Sequence, residues 1–347
     1  MKIKKSELEA ILEFLKPFND KKQTVELQIK DGILVFKAFD NENILILKNI
    51  KTDEKDTEKV TIEKNWLERI NKQNIEADEE IMIKINKKTL TSKVNNIVFR
   101  TTILENAKFE IKEEEIKETP IILTREMLDR IKQAEDFAQK TMTRPILNGI
   151  NLKIEGGKLI ITATDSYKAY TVSYDTEIKK EISITMPKKT SEILQALSKG
   201  AKGVPVIITE KNIYINEKAV YYKSALFDGE YPSINKIIKS ANEEETIQEI
   251  TISEENFKKL KSIKQKNGQL LNIRTEGKEL VFKTGTNETT NELFVEYDLT
   301  NEFEVACNYE NMILALELIN SFQIKKNLFL FKTDYLTIMI MGARIHE

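Results

Sequence analysis

Few side chains in this 347-residue chain are placed for covalent chemistry. Its one histidine is His346, so a nucleophilic triad or a histidine-bearing zinc site has little to draw on. HExxH, CxxC, GxxxxGK[ST] and GxGxxG motifs are all missing from the sequence, which removes the familiar zinc, P-loop and dinucleotide signatures. Cys307 is the single cysteine. It excludes an intrachain disulfide framework and fits a reducing cytoplasm. At a helix start its thiol pKa could be lowered, but with no histidine nearby in sequence it reads as structural. Asp165, in TATDSYK, has two readings: a carboxylate for metal-dependent cleavage, or the acceptor of a turn at a strand end. No second or third carboxylate has convincing spacing near it. The run Glu113-Glu114-Glu115 reads as a solvated linker rather than a metal site. These residues show no catalytic centre and call for no cofactor or metal, while chemistry by carboxylates alone stays open through Asp165.

Composition is that of a globular protein, 40% hydrophobic and 32% charged. The longest nearly apolar stretch, Leu336 to Ala343, is far short of a membrane span. The segment MKIKKSELEAIL reads as structure, not as a signal peptide. Net charge is −2, from 54 basic and 56 acidic residues. A simple nucleic-acid coat would be basic, so either the chain avoids nucleic acid or its charges are segregated between faces.

The elements that must position any site recur three times. Val25, Leu27 and Ile29 alternate before Asp31-Gly32; Ile150, Leu152 and Ile154 before Gly156-Gly157; Leu271 and Ile273 before Glu276-Gly277. Period-two alternation around a glycine turn predicts a β-hairpin. A helix signal precedes each hairpin: SELEAILEFL opened by Ser6 with Glu9 as its capping box, TREMLDRIKQA opened by Thr124, and SEENFKKLKSI opened by Ser253. A second helix follows in each, in EKNWLERINKQ, KKTSEILQALSK and NYENMILALELINSF. Polar stretches at 112–119 and 239–248 read as exposed linkers, giving domains 1–117, 118–244 and 245–347. Each would be an α+β unit of two helices backed by antiparallel sheets. The repeat alone fits an interaction protein of any shape.

The segment TRPILNGINLKIEGGKLIITATDSYKAY, Thr143 to Tyr170, resembles the middle domain of the bacterial sliding clamp, the β subunit of DNA polymerase III. MPKKTSEIL at 186–194, LFDGEYPSINKII at 226–238 and YLTIMIM at 335–341 resemble later family stretches in the same order. The resemblance implies three clamp domains per chain and a head-to-tail homodimer ring of pseudo-sixfold symmetry. Such a ring would encircle duplex DNA without reading its sequence and tether the replicative polymerase, the clamp loader and other clamp-motif proteins in the cytoplasm. It would reconcile the near-neutral charge with a basic lining.

Carried over position by position, Lys21, Lys22, Arg144, Lys188 and Lys189 would contact phosphates. A groove for partner peptides would take Leu147, Thr164, Ser166, Tyr167, Lys168, Ala169, Pro232, Lys236, Ile237, Asn308, Ile338, Met339, Ile340 and Met341. The methionines suit a surface that adapts to several partners. Ser166-Tyr167-Lys168-Ala169 stands where the family has a G-H-R-L-like stretch, and Ile340 where it has proline. A divergent chromosomal, plasmid or phage member is implied, with its own peptide preference.

Overall fold

The computed structural model describes residues 2–20, 23–52, 54–57, 59–86, 88–104, 113–141, 143–264, 268–285 and 289–344. One element order recurs three times. The first pass is β1 (Lys2–Lys4), α1 (Lys5–Leu15), β2 (Thr24–Lys30), β3 (Ile33–Phe39), β4 (Asn43–Lys51), β5 (Val60–Glu63), α2 (Lys64–Asn71), β6 (Glu80–Ile85), β7 (Thr89–Val94) and β8 (Ile97–Thr102). The second is β9 (Ile121–Thr124), α3 (Arg125–Ala134), β10 (Gly149–Glu155), β11 (Lys158–Thr164), β12 (Lys168–Asp175), β13 (Ile182–Pro187), α4 (Lys188–Ser198), β14 (Gly203–Ile208), β15 (Asn212–Asn216) and β16 (Val220–Ala225). One additional helix, α5 (Ile234–Glu243), precedes the third pass. That pass is β17 (Gln248–Thr251), α6 (Glu254–Ser262), β18 (Leu270–Glu276), β19 (Glu279–Gly285), β20 (Thr290–Glu296), β21 (Glu304–Asn308), α7 (Tyr309–Leu316), β22 (Ser321–Ile324), β23 (Leu328–Lys332) and β24 (Leu336–Ala343).

The three hairpins form where alternation predicts them. Lys30 pairs with Ile33, Glu155 with Lys158 and Glu276 with Glu279 across two-residue loops. Asp31-Gly32 and Gly156-Gly157 hold positive φ at both loop residues, the conformation whose twist matches the flanking strands. The third loop is Gly277-Lys278, one residue beyond the sequence expectation, with positive φ at Gly277. The alternating residues Val25, Leu27, Ile29, Ile150, Leu152, Ile154, Leu271 and Ile273 are all buried.

Within each repeat a long polar side chain on one helix caps the end of the other. Lys5 on α1 donates to the Asn71 carbonyl at the end of α2. Lys64 on α2 donates to the carbonyls of Leu15 and Phe18 at and past the end of α1, at 3.3 and 2.7 Å. Arg125 on α3 reaches the Ser198 carbonyl of α4 at 3.1 Å. The Tyr309 hydroxyl on α7 donates to the carbonyls of Leu260 and Lys261 on α6. A helix leaves its last carbonyls unpaired and its C-terminus partially negative, so a cation there is stabilised on both counts. Reciprocal capping makes α1 and α2 antiparallel.

Two helix boundaries differ from the sequence reading. The capping box of α1 begins two residues earlier: Lys4 is the N-cap and its N–H donates to Glu7 at 2.8 Å, while Ser6 and Glu9 lie inside the helix. Helix α7 stops at Leu316, because Ser321–Ile324 is taken into a strand pair with β17. Asn308 caps α7 and Ser253 caps α6, accepting from the backbone of Asn311 and Asn256.

The chain packs into two compact units, one of residues 1–129 and 186–227, the other of 130–185 and 228–347. In the first, an eight-stranded sheet runs β5-β2-β3-β4-β16-β15-β14-β9, and a four-stranded sheet runs β1-β6-β7-β8. Its joint is the β4–β16 pair, from Asn43↔Ser224 to Leu47↔Val220. In the second, the main path runs β13-β10-β11-β12-β24-β21-β18-β19-β20, with β23, β22 and β17 branching from β24. Its joint is the β12–β24 pair, from Val172↔Leu336 to Lys168↔Ile340.

Both polar stretches that read as free linkers are held. Ile116 packs against Ile46, Ile207, Tyr214 and Tyr221 on the eight-stranded sheet. Glu113 pairs with Lys48, and Glu114 pairs with Lys223 while accepting from the Tyr214 hydroxyl at 3.0 Å. Those contacts lower the Glu114 pKa, the Lys223 hydrogen bond most, and burial beside Glu114 raises Tyr214 to about 12. The start of the second stretch is the C-terminal half of α5, whose Ala241 is buried. A single apolar residue at the right spacing anchors each segment, which charge counting overlooks.

Replacing Lys64 with methionine should leave the Leu15 and Phe18 carbonyls buried without a donor. The expected loss is about 2–3 kcal/mol, read as a lower denaturation midpoint with an unchanged slope.

Candidate functional site

The β12–β24 pairing sets the tail strand beside the TATDSYKA turn. Ala169 stands opposite Met339, and Met339 stands opposite Leu330 on β23. These side chains share one sheet face, on which Ile234, Ile238 and Ala241 of α5 pack. Strand alternation sends Ile338 and Ile340 to the opposite face, where both are fully buried. Their register partners Phe331 and Phe329 pack there against Phe322.

The turn itself is tightly determined. Asp165 Oδ1 accepts from the backbone of Tyr167 and Lys168, both at 2.9 Å. The Thr164 hydroxyl donates to the Lys168 carbonyl at 2.7 Å and accepts from the Ser166 N–H. The Thr164 N–H in turn donates to the hydroxyl of Tyr231, on the approach to α5, at 2.9 Å. Burial raises the Tyr231 pKa, so its phenol stays neutral. Ser166 holds φ at +80°, a left-handed conformation that costs a non-glycine residue about 1 kcal/mol. Lys168 is only 8% exposed; its ammonium reaches Asp165 Oδ2 at 2.8 Å and Asn311 at 3.2 Å.

Above this floor is a pocket of about 190 Å³. Its lining includes ten residues that the resemblance assigns to a groove: Leu147, Thr164, Ser166, Tyr167, Lys168, Ala169, Pro232, Ile237, Met339 and Met341. Leu147 arrives on a 3-10 turn, Pro145–Asn148, whose Leu147 carbonyl accepts from the Gln139 N–H at 2.8 Å. Tyr167 is 70% exposed and Met341 43%, so the rim is open. Four other assigned residues are outside the lining. Ile338 and Ile340 face the core, Lys236 is exposed on α5, and Asn308 caps α7 beside the Asn311 that binds Lys168. Ile234 and Arg144 line the pocket without being assigned to it. A signal for Ile234 stands in PSINKII: Pro-Ser before isoleucines at 234, 237 and 238 is a helix start with one apolar face.

The residues assigned to phosphate contact are distributed differently. Lys21 and Lys22 lie outside the described residues. Lys188 is half-buried at the start of α4. Lys189 forms an ion pair with Asp40 and sits 5.0 Å above the Phe18 ring. Arg144 is exposed at the pocket rim. Next to Lys189, Thr190 donates to Ser224 at 2.9 Å and Tyr222 donates to Asn43 at 2.8 Å, a buried network across the β4–β16 joint.

Other chemistry finds no centre among the described residues. The Asp165 oxygens serve the turn and Lys168, the role of a strand-end acceptor. No group of three or more described His, Cys, Asp or Glu side chains is placed to hold a metal. Cys307 is fully buried, and burial raises its thiol pKa, which keeps it protonated. His346 lies outside the described residues.

Likeness to known proteins is specific. Residues 122–233 match the family model described as DNA polymerase III beta subunit, central domain. The beta sliding clamp of Bacillus subtilis is 32% identical over 120 residues, 34% of this chain and 32% of that protein. The beta sliding clamp of Halalkalibacterium halodurans is 26% identical over 210 residues, 57% of this chain and 55% of that protein. These sequence matches thus span about a third to a half of the relatives' length. The structure of the Helicobacter pylori beta clamp bound to a DNA ligase peptide aligns with 99% of both chains, at TM-score 0.76 and 20% identity. The chain therefore has the bacterial sliding-clamp fold.

The Asp40–Lys189 pair gives a pH prediction. Burial works to raise the Asp40 pKa, but hydrogen bonds from Lys189, Asn43 and the Glu42 backbone outweigh it and the net shift is downward. A carboxyl depressed on folding stabilises the protein above its unfolded pKa, near 4, and that stabilisation is lost as pH falls through the folded value. Urea titrations from pH 6 to pH 3 should show a smaller acid loss in Asp40→Asn than in the parent.

Proposed function

We propose that the chain is a non-catalytic DNA polymerase processivity factor. Two copies, each of three clamp domains at 1–117, 118–244 and 245–347, join head to tail in a ring around duplex DNA in the cytoplasm. The observation that carries the reading is the threefold element order with the sliding-clamp fold along the whole chain. Two terminal strands favour closure. β8 ends the four-stranded sheet with Ile97 and Val98 exposed, and β20 ends the long sheet with Phe294 exposed. Unlike edges on one chain suit a heterologous contact that closes by rotation.

Processivity in this reading requires no bond making. The ring leaves a long duplex only by opening or by reaching an end. Lysine and arginine attract phosphates without reading bases, so sliding meets small barriers. Lys188, Arg144, Lys21 and Lys22 are the candidates for that role; Lys189 is neutralised by its pair with Asp40 and would join them only if that pair opened. Partners dock through the pocket at β12, β24 and α5, inserting apolar side chains between the methionines. The polymerase and the clamp loader are the expected users of this pocket. A clamp relative with a DNA ligase peptide bound supports this use of the fold.

The ring is tested by loading the protein onto nicked circular DNA and washing. Retention should persist at high salt on the circle and vanish after linearisation; equal loss from both sinks the topological reading. The pocket is tested separately by Met341→Asp. A charge at this half-exposed rim should cut peptide binding at least about tenfold while leaving the dimer mass unchanged. Undiminished binding would move the docking site elsewhere.

A further inference from the structure

We infer that a lysine-lined depression on the first unit is a protein-docking site for an extended partner segment that alternates carboxylates with aliphatic side chains. It lies on the eight-stranded sheet, on the face opposite the buried side chains of Leu34, Phe36 and Leu47. Its volume is about 500 Å³. The lining is aliphatic at Ile33, Val35 and Ile46 and cationic at Lys30, Lys37, Lys48 and Lys59. A β-bulge shapes this part of the sheet. Leu34 stands opposite Ile50 but Phe36 opposite Leu47, so β4 carries one residue more than β3 over that interval. A bulge bends its strand and re-aims the side chains on it, and Lys48 lies in the bulged interval.

The chain itself supplies a template for the occupant. Glu113 to Ile116 is an acidic stretch that docks on the same sheet face. Glu113 pairs with Lys48 inside the depression, and Glu114 pairs with Lys223 beyond it. Ile116 packs on the apolar cluster that contains Ile46. Carboxylate on lysine and aliphatic side chain on sheet are thus contacts this face already makes. The remaining lysines can make more of them. Lys30 is exposed and has no ion-pair partner among the described residues. Lys37 and Lys59 share one carboxylate, that of the buried Glu26, at 3.1 and 3.9 Å. One carboxylate cannot neutralise two ammoniums, so this end stays positive. A bare phosphate would meet the ammoniums but leave the aliphatic lining uncovered. A nucleic-acid strand would find no aromatic ring in the lining to stack on. An acidic segment with aliphatic side chains satisfies both parts of the lining, and the inference does not depend on the ring.

The test is fluorescence anisotropy of the full chain with a labelled Glu-Ile-Glu-Ile-Glu peptide, its Gln–Ile and Glu–Gly counterparts, and a labelled thymidine dodecamer. The Glu–Ile peptide should bind at least about tenfold more tightly than the other three probes. Lys30→Gln breaks no ion pair and should weaken it about threefold; Lys30→Glu combined with Lys59→Gln should weaken it at least about tenfold. Lys211→Glu, an exposed change in the same unit outside the lining, should leave it unaltered. If the combined variant does not fold, Lys30→Gln decides. Several results would overturn the inference: no binding of the Glu–Ile peptide, equal binding of the Glu–Gly peptide or the dodecamer, affinity indifferent to Lys30, or an equal loss in Lys211→Glu. None of them bears on DNA retention or on the pocket at β12 and β24.

Discussion

Backbone pairing between strands of successive repeats is the constraint on which the rest of this structure depends. A single repeat ends in strand edges whose N–H and C=O groups have no partner within it. β16 meets β4 in one unit and β24 meets β12 in the other, each with five paired positions. Those pairs convert short sheets into long ones, and they put residues more than 160 positions apart into one surface. The second repeat is consequently shared between two packing units. Covalent order and packing order differ because strand edges, once exposed, are satisfied by whichever neighbouring edge they meet.

The pocket is a product of that constraint. Its floor alternates across β12 and β24, its wall is a helix that lies outside the threefold pattern, and its rim is a turn held by Asp165. The turn is stiff because its polar groups have partners, from the Tyr231 phenol to the Lys168 ammonium. A stiff turn beside the methionines of β24 combines a fixed depth with an adaptable outline. The capping pattern in the helix pairs follows the same logic: one long polar side chain meets two orphan carbonyls and orients two helices. Lysine does this in the first repeat, arginine in the second and tyrosine in the third, so the interaction recurs while the residue does not.

Hairpin positions are legible in the sequence because period-two alternation and glycine turns depend only on neighbours along the chain. The helix starts at Thr124 and Ser253 are legible for the same reason. The cap of α1 is not, because Lys4 serves as N-cap through its backbone and carries no capping hydroxyl. The acidic stretch near 113–118 looks solvated in the sequence because its single anchor, Ile116, gains meaning only against the tyrosines of β15 and β16. Asn308 and Lys236 enter through a resemblance that assigns positions, and positions do not specify which way a side chain points.

The groove residues came with the family resemblance; by itself the sequence determined the repeating α+β units and a composition with one histidine and one cysteine. Local alternation, turn chemistry and composition suffice for those, because each is decided within a few residues. Tertiary structure decided which of the groove residues meet. Met339 and Met341 line the pocket while Ile338 and Ile340 are buried behind it, although all four lie in one apolar run. A strand in which every residue is apolar carries no sign of its two faces. Only the register with Ala169 on one side and Leu330 on the other assigns them.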